Sequence, residues 1–256
     1  MMQLPQFSSV DEVQLSLLDS LLNGGTLVSA RQMKTLEIHP SGFVLTNPRA
    51  RCLTNKARKW SLPLAIGEFT WHLSASNDVK FISYYAKQWE KFSDDGKVIK
   101  ESCYGHKIFE KNNKGISQWS NVVNLLSEDR DTRRAVLSLY ESTTDFGAFS
   151  KDVSCICTIQ FLIRDNKLDA ITHMRSNDVM WGLPYDLFLV TMLQEYLALT
   201  LSVPLGRYYH FANSMHLYER HFKLATEILG SDYVPYEMPY MTDSEEMSIF
   251  LKYEKT

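Results

Sequence analysis

Residues 153–201 constrain the fold more than any other stretch. Residues 156–163 (Ile-Cys-Thr-Ile-Gln-Phe-Leu-Ile) are β-branched and apolar and read as a buried strand. Arg164-Asp-Asn-Lys167 is turn chemistry. Leu168 to Met174 returns as a second strand, so the pattern predicts a hairpin. The polar cluster Arg175-Ser-Asn-Asp178 follows, and Leu187 to Leu201 reads as a long apolar helix. Between Cys155 and Asp186 a thiol, a guanidinium, a hydroxyl and two carboxylates come close together in sequence. Packing alone does not ask for that.

The flanking chain mixes helices and strands. Residues 10–24 read as an amphipathic helix ending at Gly24-Gly25. Thr35-Leu-Glu-Ile38 is a short alternating strand, and residues 40–56 are loop and strand. Arg49, Arg51, Lys56, Arg58 and Lys59 form a basic cluster, which for most of its members reads as a solvated face. A helix is predicted from near Pro63 to residue 73, with Glu68 inside an apolar stretch. A carboxylate there is paired, has a task, or snorkels to the surface. Residues 78–92 predict another helix with Trp89 near its end, and Ser102-Cys-Tyr-Gly105 a loop. Residues 117–127 are amphipathic and lead through Asp131-Thr-Arg-Arg134 into a strand at 135–140. Adjacent arginines there suit an anion, a subunit contact or a surface salt-bridge cluster. Residues 141–152 read as a polar loop, Arg207 to Asn213 as a strand, and Ser214 to His221 as the start of the next helix, which runs to Gly230. The last 25 residues are loop-like and acidic. No linker or repeat divides the 256 residues, so one domain spanning 1–256 is expected. The irregular mixture of elements makes it α+β.

The net charge of −3 gives no electrostatic case for nucleic-acid or membrane-surface binding. The N-terminus lacks the features of a signal peptide, and no uncharged apolar run reaches membrane-spanning length. Four cysteines do not make a disulfide framework, which points to a reducing, cytoplasmic setting with free thiols. No metal motif is present: His210, His216 and His221 lack ligand spacing, and Cys155-Ile-Cys157, with both thiols expected on one strand face, is a weak signal. A thiol nucleophile remains, with Arg175 as the positive neighbour that lowers its pKa. On pattern alone a buried structural cysteine is the better fit.

From Arg31 to His221 the chain resembles the thymidylate synthase family. Arg31 precedes the Thr-Leu-x-Ile strand, and Arg58-Lys59 stands before the Glu helix. Glu68-Phe-Thr-Trp71 is similar to the family's Glu-x-x-Trp, Trp89 to its folate-side tryptophan, and Tyr104-Gly105 to the Tyr-Gly that follows. Asp131-Thr-Arg-Arg134 resembles Asp-Ser-Arg-Arg, and Cys155 stands five residues before Gln160-Phe161. Arg175-Ser176, Asp178, Gly182-Leu-Pro184 and His216-Leu-Tyr218 follow in order. Four departures stand out. Ile156 replaces the His after the nucleophile, Met174 the Gln before the Arg, and Asp186 the base-reading Asn, and the chain ends Lys252-Tyr-Glu-Lys-Thr256 in place of an apolar tail. All four move toward the family's bacteriophage deoxycytidylate hydroxymethylases, as does Met174-Arg-Ser-Asn-Asp-Val179.

The resemblance implies a large mixed sheet packed with helices around the long apolar helix. It implies hydroxymethylation of a pyrimidine nucleoside monophosphate at C5, with 5,10-methylenetetrahydrofolate as cofactor and a homodimer with shared sites. It assigns catalysis to Cys155, Glu68, Asp186 and Tyr104. Substrate binding falls to Arg31, Gln160, Arg175, Ser176, Asn177, His216 and Tyr218, with Arg133 and Arg134 supplied by the partner. Folate binding falls to Trp89, Asp178 and Gly182. Cytosine presents an amino donor at N4 and an acceptor at N3, and a carboxyl can meet both, so Asp186 is expected to select cytosine. A ribonucleotide hydroxymethylase, a divergent thymidylate synthase and a non-catalytic relative are the alternatives.

Overall fold

The structure is a computed structural model that describes residues 4–30, 32–141, 151–243 and 251. In chain order its first elements are β1 (Gln6–Phe7), α1 (Val10–Gly24), β2 (Thr26–Ala30), β3 (Met33–Ile38), β4 (Ser41–Leu45), α2 (Leu62–Leu73), α3 (Val79–Tyr85), α4 (Tyr104–Phe109) and α5 (Gln118–Glu128). There follow β5 (Val136–Ser138), β6 (Ile156–Arg164), β7 (Lys167–Met174), β8 (Asn177–Asp178), α6 (Gly182–Thr200), β9 (Leu205–Ala212), β10 (Met215–Tyr218) and α7 (Phe222–Leu229).

The expected hairpin, β6–β7, lies within a six-stranded mixed sheet of order β1-β4-β9-β7-β6-β5. Its turn residues Asp165 and Asn166 both have positive φ, 50° and 58°. Short polar side chains tolerate that conformation, and it matches the twist of the paired strands. One face of the sheet is covered by α6, whose side chains are buried around nearly its whole circumference. Gln194 fastens the helix there, donating through Nε2 to the carbonyls of Leu168 and Arg207 at 2.9 and 3.0 Å. A four-stranded sheet, β2-β3-β10-β8, stands beside the first. Among the described residues no helix is long and apolar enough to cross a membrane.

Several expectations change. Residues 214–221 are not the start of a helix but β10 and a 3-10 turn. Met215, His216, Leu217 and Tyr218 alternate buried and half-buried, the period of a strand, and β10 pairs with both β3 and β8. Residues 78–92 form two pieces, α3 and a 3-10 turn (Lys87–Lys91), broken at Ala86 with φ −150°. The break folds Trp89 back onto Trp71, ring centroids 5.4 Å apart. Tyr104 and Gly105 open α4 instead of lying in a loop. The basic cluster is not uniformly solvated. Arg51 is fully buried and pairs with Glu195 of α6, and Arg58 is buried with its guanidinium donating to the Met180 carbonyl. A register shift between Ile156 and Thr158 makes Cys157 a bulge, so Cys155 and Cys157 do not share a regular strand face. The loop expected at 141–152 falls largely outside the described residues, as do Arg31 and the terminal Lys252–Thr256.

Candidate active site

Cys155 stands just before β6 and is half-buried. Its own N–H and that of Ile156 donate to the Tyr104 phenolic oxygen at 3.2 and 3.4 Å. Tyr104 can reach this turn because α4 begins in contact with α2. A Cβ on Gly105 would lie 1.8 Å from the His72 carbonyl oxygen, an approach only glycine allows. Arg175, at the end of β7, closes the other side. Its Nε donates to the Ser154 carbonyl at 2.7 Å, and its Nη2 donates to the Val153 carbonyl at 2.9 Å and lies 3.7 Å from Cys155 Sγ.

The guanidinium therefore sits beside the thiol, and its charge favours the thiolate. Burial is the larger effect and pushes the Cys155 thiol up to about 11, with Asp186 adding to the rise. The expectation that Arg175 gives a ready thiolate is corrected on this point. One cation does not offset the desolvation, so the resting group at neutral pH is the thiol. Cys52 and Cys103 are more deeply buried, and burial raises them to about 11 and about 12.

Three carboxylates gather around the N-terminal end of α6. Asn177, buried in β8, donates through Nδ2 to Asp186 Oδ2 at 2.8 Å. Gly182 covers that bond, since a Cβ there would stand 3.1 Å from Asn177 Nδ2 and 3.3 Å from Asp186 Oδ2. Glu68, on α2, keeps only 14 % of its side-chain surface open. Burial, with the charge of Asp186 adding to it, raises Glu68 to about 8. Burial likewise lifts Asp186 to about 7, opposed by the Asn177 bond and reinforced by Asp178. The Asp186 charge also acts on Cys155 and Tyr104, which makes this carboxyl the common neighbour of the reactive groups. The pair can hold and exchange a proton near neutral pH.

This has a consequence for stability. An unfolded glutamate ionises near its ordinary value, whereas folded Glu68 keeps its proton to about 8. Below the ordinary value both states are protonated and nothing is lost. Between the two values the unfolded state is favoured increasingly, and above about 8 the loss is constant. Glu68→Gln removes this titration. Its stability relative to the unmodified protein should rise from roughly pH 5 to pH 8, by a few kcal/mol and at most about 5 kcal/mol for a shift of this size, and its melting temperature should rise in step. Thermal denaturation across that range checks it, and a margin independent of pH contradicts a neutral buried Glu68.

The remaining expected residues divide. Ser176 Oγ lies 3.4 Å from His216 Nδ1, and Tyr218 meets the His216 ring edge-on at 5.1 Å. Burial lowers the His216 pKa, and Asp178, paired with it across β8–β10, opposes the fall. Asp178 is half-buried and accepts through Oδ1 from the Met180 N–H at 2.8 Å. Trp89 packs on Trp71 and Phe92. Gln160 is not brought to the thiol. It lies on the sheet face turned away from α6, where Nε2 donates to the Arg133 carbonyl at 2.8 Å. Arg133 and Arg134 are exposed ahead of β5.

Two features escaped the sequence reading. His72 is buried four residues after Glu68 on the same helix face, a spacing that was open to view. Trp181, 39 % exposed, donates through Nε1 to His221 Nε2 at 3.0 Å, with the Arg58 guanidinium 5.0 Å over its ring. That contact spans three distant segments and left no local trace.

Comparison with known proteins places this geometry. The thymidylate synthase family model matches residues 15–253. The chain is 29 % identical over 255 residues to the deoxyuridylate hydroxymethyltransferase of Bacillus phage SP01, an alignment covering 94 % of this chain and 66 % of that protein, just under two thirds of its length. It is 28 % identical over 246 residues to the deoxycytidylate 5-hydroxymethyltransferase of Enterobacteria phage T4, covering 88 % of this chain and 96 % of that one. Its backbone matches the thermostable thymidylate synthase A from Bacillus subtilis with a TM-score of 0.75 at 21 % identity, over 88 % of this chain and 85 % of the other, which shows a shared α+β fold.

Proposed function

This chain belongs to the thymidylate synthase family, and from that premise we propose that it is a single-domain deoxycytidylate 5-hydroxymethylase. The observation that carries the base choice is the Asp186 carboxyl, fixed by Asn177 and raised by burial to about 7. A protonated carboxyl presents one donor and one acceptor side by side. It donates to cytosine N3 and accepts from the N4 amino group. Uracil offers N–H at N3 and an acceptor at O4, so it reverses the pattern.

The residues then act in sequence. The Cys155 thiol passes its proton to a water molecule as Sγ bonds to C6, and the C5=C6 electron pair moves into the ring toward N3. Asp186 supplies the proton that N3 gains, and C5 becomes nucleophilic. Methylenetetrahydrofolate, when bound, supplies a one-carbon unit at the oxidation level of formaldehyde. Glu68 takes up and returns protons during loss of the C5 hydrogen, and it orients the water that completes the hydroxymethyl group. Sγ departs as the C5=C6 bond re-forms, N3 returns its proton to Asp186, and the thiolate regains a proton from water. Tyr104 holds the Cys155 turn through its two backbone bonds. The residues suit the folate. Asp178 offers carboxyl oxygens that match the amino and ring N–H donors of a reduced pterin, and half-buried Trp89, tilted against the buried Trp71 ring, offers an aromatic wall. Ser176, His216 and Tyr218 serve the sugar, and Arg175 serves the phosphate.

We also infer a homodimer. Strand register aligns Ser138, Thr158, His173 and Phe211 in one row and Val136, Gln160, Ile171 and Tyr209 in the next. Every one is half-buried or exposed. A broad sheet face carrying this much aromatic and aliphatic surface suits a second copy packed sheet to sheet. Arg133 and Arg134, exposed at the edge of this face, are then free to reach the partner's phosphate site. Sedimentation velocity should give twice the chain mass, and Ile171→Asp should yield a monomer with nucleotide KM raised at least about tenfold. A fully active monomer contradicts shared sites.

The likeness to the Bacillus phage SP01 protein favours one other reading, a deoxyuridylate hydroxymethylase. Product analysis separates the two. With methylenetetrahydrofolate, the protein should convert dCMP to 5-hydroxymethyl-dCMP, identified by mass spectrometry. A hydroxymethyl product from dUMP alone overturns the base assignment, and a methyl product overturns the hydroxymethylase assignment.

A further inference from the structure

The reading of Glu68 as the proton relay leaves open what holds its carboxylate when the proton is away. On α2, the residue one turn on is His72, buried at 1 % exposure. The Gly105 N–H donates to His72 Nδ1 at 3.1 Å. A backbone N–H can only donate, so Nδ1 is the unprotonated nitrogen and the single ring proton is on Nε2. Burial keeps the ring neutral by lowering its pKa to about 3. Among the described residues Nε2 is buried with no hydrogen-bond partner, and Glu68 Oε1 lies 3.9 Å from it. A buried N–H without an acceptor is costly and needs an explanation. A shift of about 1 Å in the Glu68 side chain supplies the acceptor.

We propose that His72 is a positioning residue for Glu68, whose Nε2–H closes on the carboxylate each time that group gives up its proton. Other groups surround the carboxylate. Asp186, from α6, opposes the Glu68 anion, and Tyr185 of the same helix lies close enough to feel its charge. Tyr104, from α4, stacks on the His72 ring at 5.6 Å and is turned to the Cys155 and Ile156 N–H groups. From α3, the Tyr85 ring packs against Gly67 on α2. His72 is thus anchored from behind by Gly105 and presents one proton forward. A neutral donor of this kind steadies the carboxylate without adding a fixed positive charge that would keep Glu68 permanently ionised.

The inference rests on the proposed role of Glu68, and its test does not need turnover. The Glu68 carboxyl is titrated by 13C NMR, without nucleotide or folate, in the unmodified protein and in His72→Phe and His72→Gln. His72→Phe keeps the ring but has no donor, so the Glu68 pKa should rise by about one unit. His72→Gln retains an N–H donor and should bring it most of the way back. In turnover, His72→Phe should lower kcat about tenfold with nucleotide KM changed less than twofold, and Gln should restore part of the loss. A role in packing alone would lower thermal stability and leave the Glu68 titration where it was. If His72→Phe does not fold, 15N NMR of His72 in the unmodified protein still decides. The Nε2–H tautomer, with a shift that follows the Glu68 titration, supports the proposal, and an Nδ1–H tautomer or a shift indifferent to Glu68 overturns it. An unmodified protein inactive on every pyrimidine nucleotide would count against the proposed function while leaving the titration result standing. A flat titration in an active enzyme would remove only the role of His72.

Discussion

Cys155→Ala should abolish turnover and leave nucleotide binding in place. The local order around this residue is carried by its backbone, which donates to Tyr104, and by Arg175, which bonds the carbonyls of Val153 and Ser154. Besides packing at the edge of the core, the side chain makes a 3.9 Å contact to the Val153 carbonyl and meets the 3.7 Å approach of Arg175 among the described residues. Removing Sγ therefore disturbs little of the fold, and it takes away the atom that must bond to C6. Activity should fall by roughly 10⁴-fold or more, as expected when a covalent nucleophile is lost. Calorimetric titration with dCMP should still give an affinity within a fewfold of the unmodified protein. Cys157→Ala, at the bulge of β6, should keep most of the activity. Substantial turnover by Cys155→Ala would remove the nucleophile assignment.

Asp186→Asn should redirect the enzyme from cytosine to uracil. The amide keeps an acceptor for the uracil N3–H and gains a fixed donor for O4, but it has no proton to give to cytosine N3. A mismatched polar contact in a closed site costs roughly 1–3 kcal/mol. The unmodified protein should thus favour dCMP over dUMP by about tenfold to a hundredfold in kcat/KM, and the variant should narrow or reverse the preference. Replacing Asp186 also removes the charge that raises Glu68 and Cys155. Turnover of dUMP should therefore appear in the variant, with dCMP turnover falling. An unchanged preference would place base recognition elsewhere.

The parts of this site that were legible in the sequence are those whose signal is local. The hairpin β6–β7 announces itself through β-branched residues around a polar turn, and α6 through an apolar run too long for a strand. The likeness of Glu68, Cys155, Arg175 and Asp186 to a known pattern singles out the proposed reacting groups, and the structure brings Arg175 beside Cys155 and Asp186 near Glu68. Four residues, Met215 to Tyr218, were too short for their alternation to be weighed against a helix, and only pairing with β3 and β8 makes them a strand. Arg51 and Arg58 read as surface because nothing local tells that Glu195 and the Met180 carbonyl await them far along the chain. The thiol shows the same limit most sharply. Arg175 beside Cys155 was predictable, but the burial that outweighs its charge depends on elements drawn from the whole chain. Gln160 followed the motif spacing, yet the pleat turns its side chain away from α6.

The central claim is that this site attacks C6 of a cytosine deoxynucleotide, and release of the C5 hydrogen reports that event directly. The unmodified protein is incubated with methylenetetrahydrofolate and, separately, dCMP, CMP and dUMP carrying tritium at C5, and tritium appearing in water is counted. The account predicts rapid release from dCMP and release at least about tenfold slower from dUMP. Release from dUMP faster than from dCMP would contradict it.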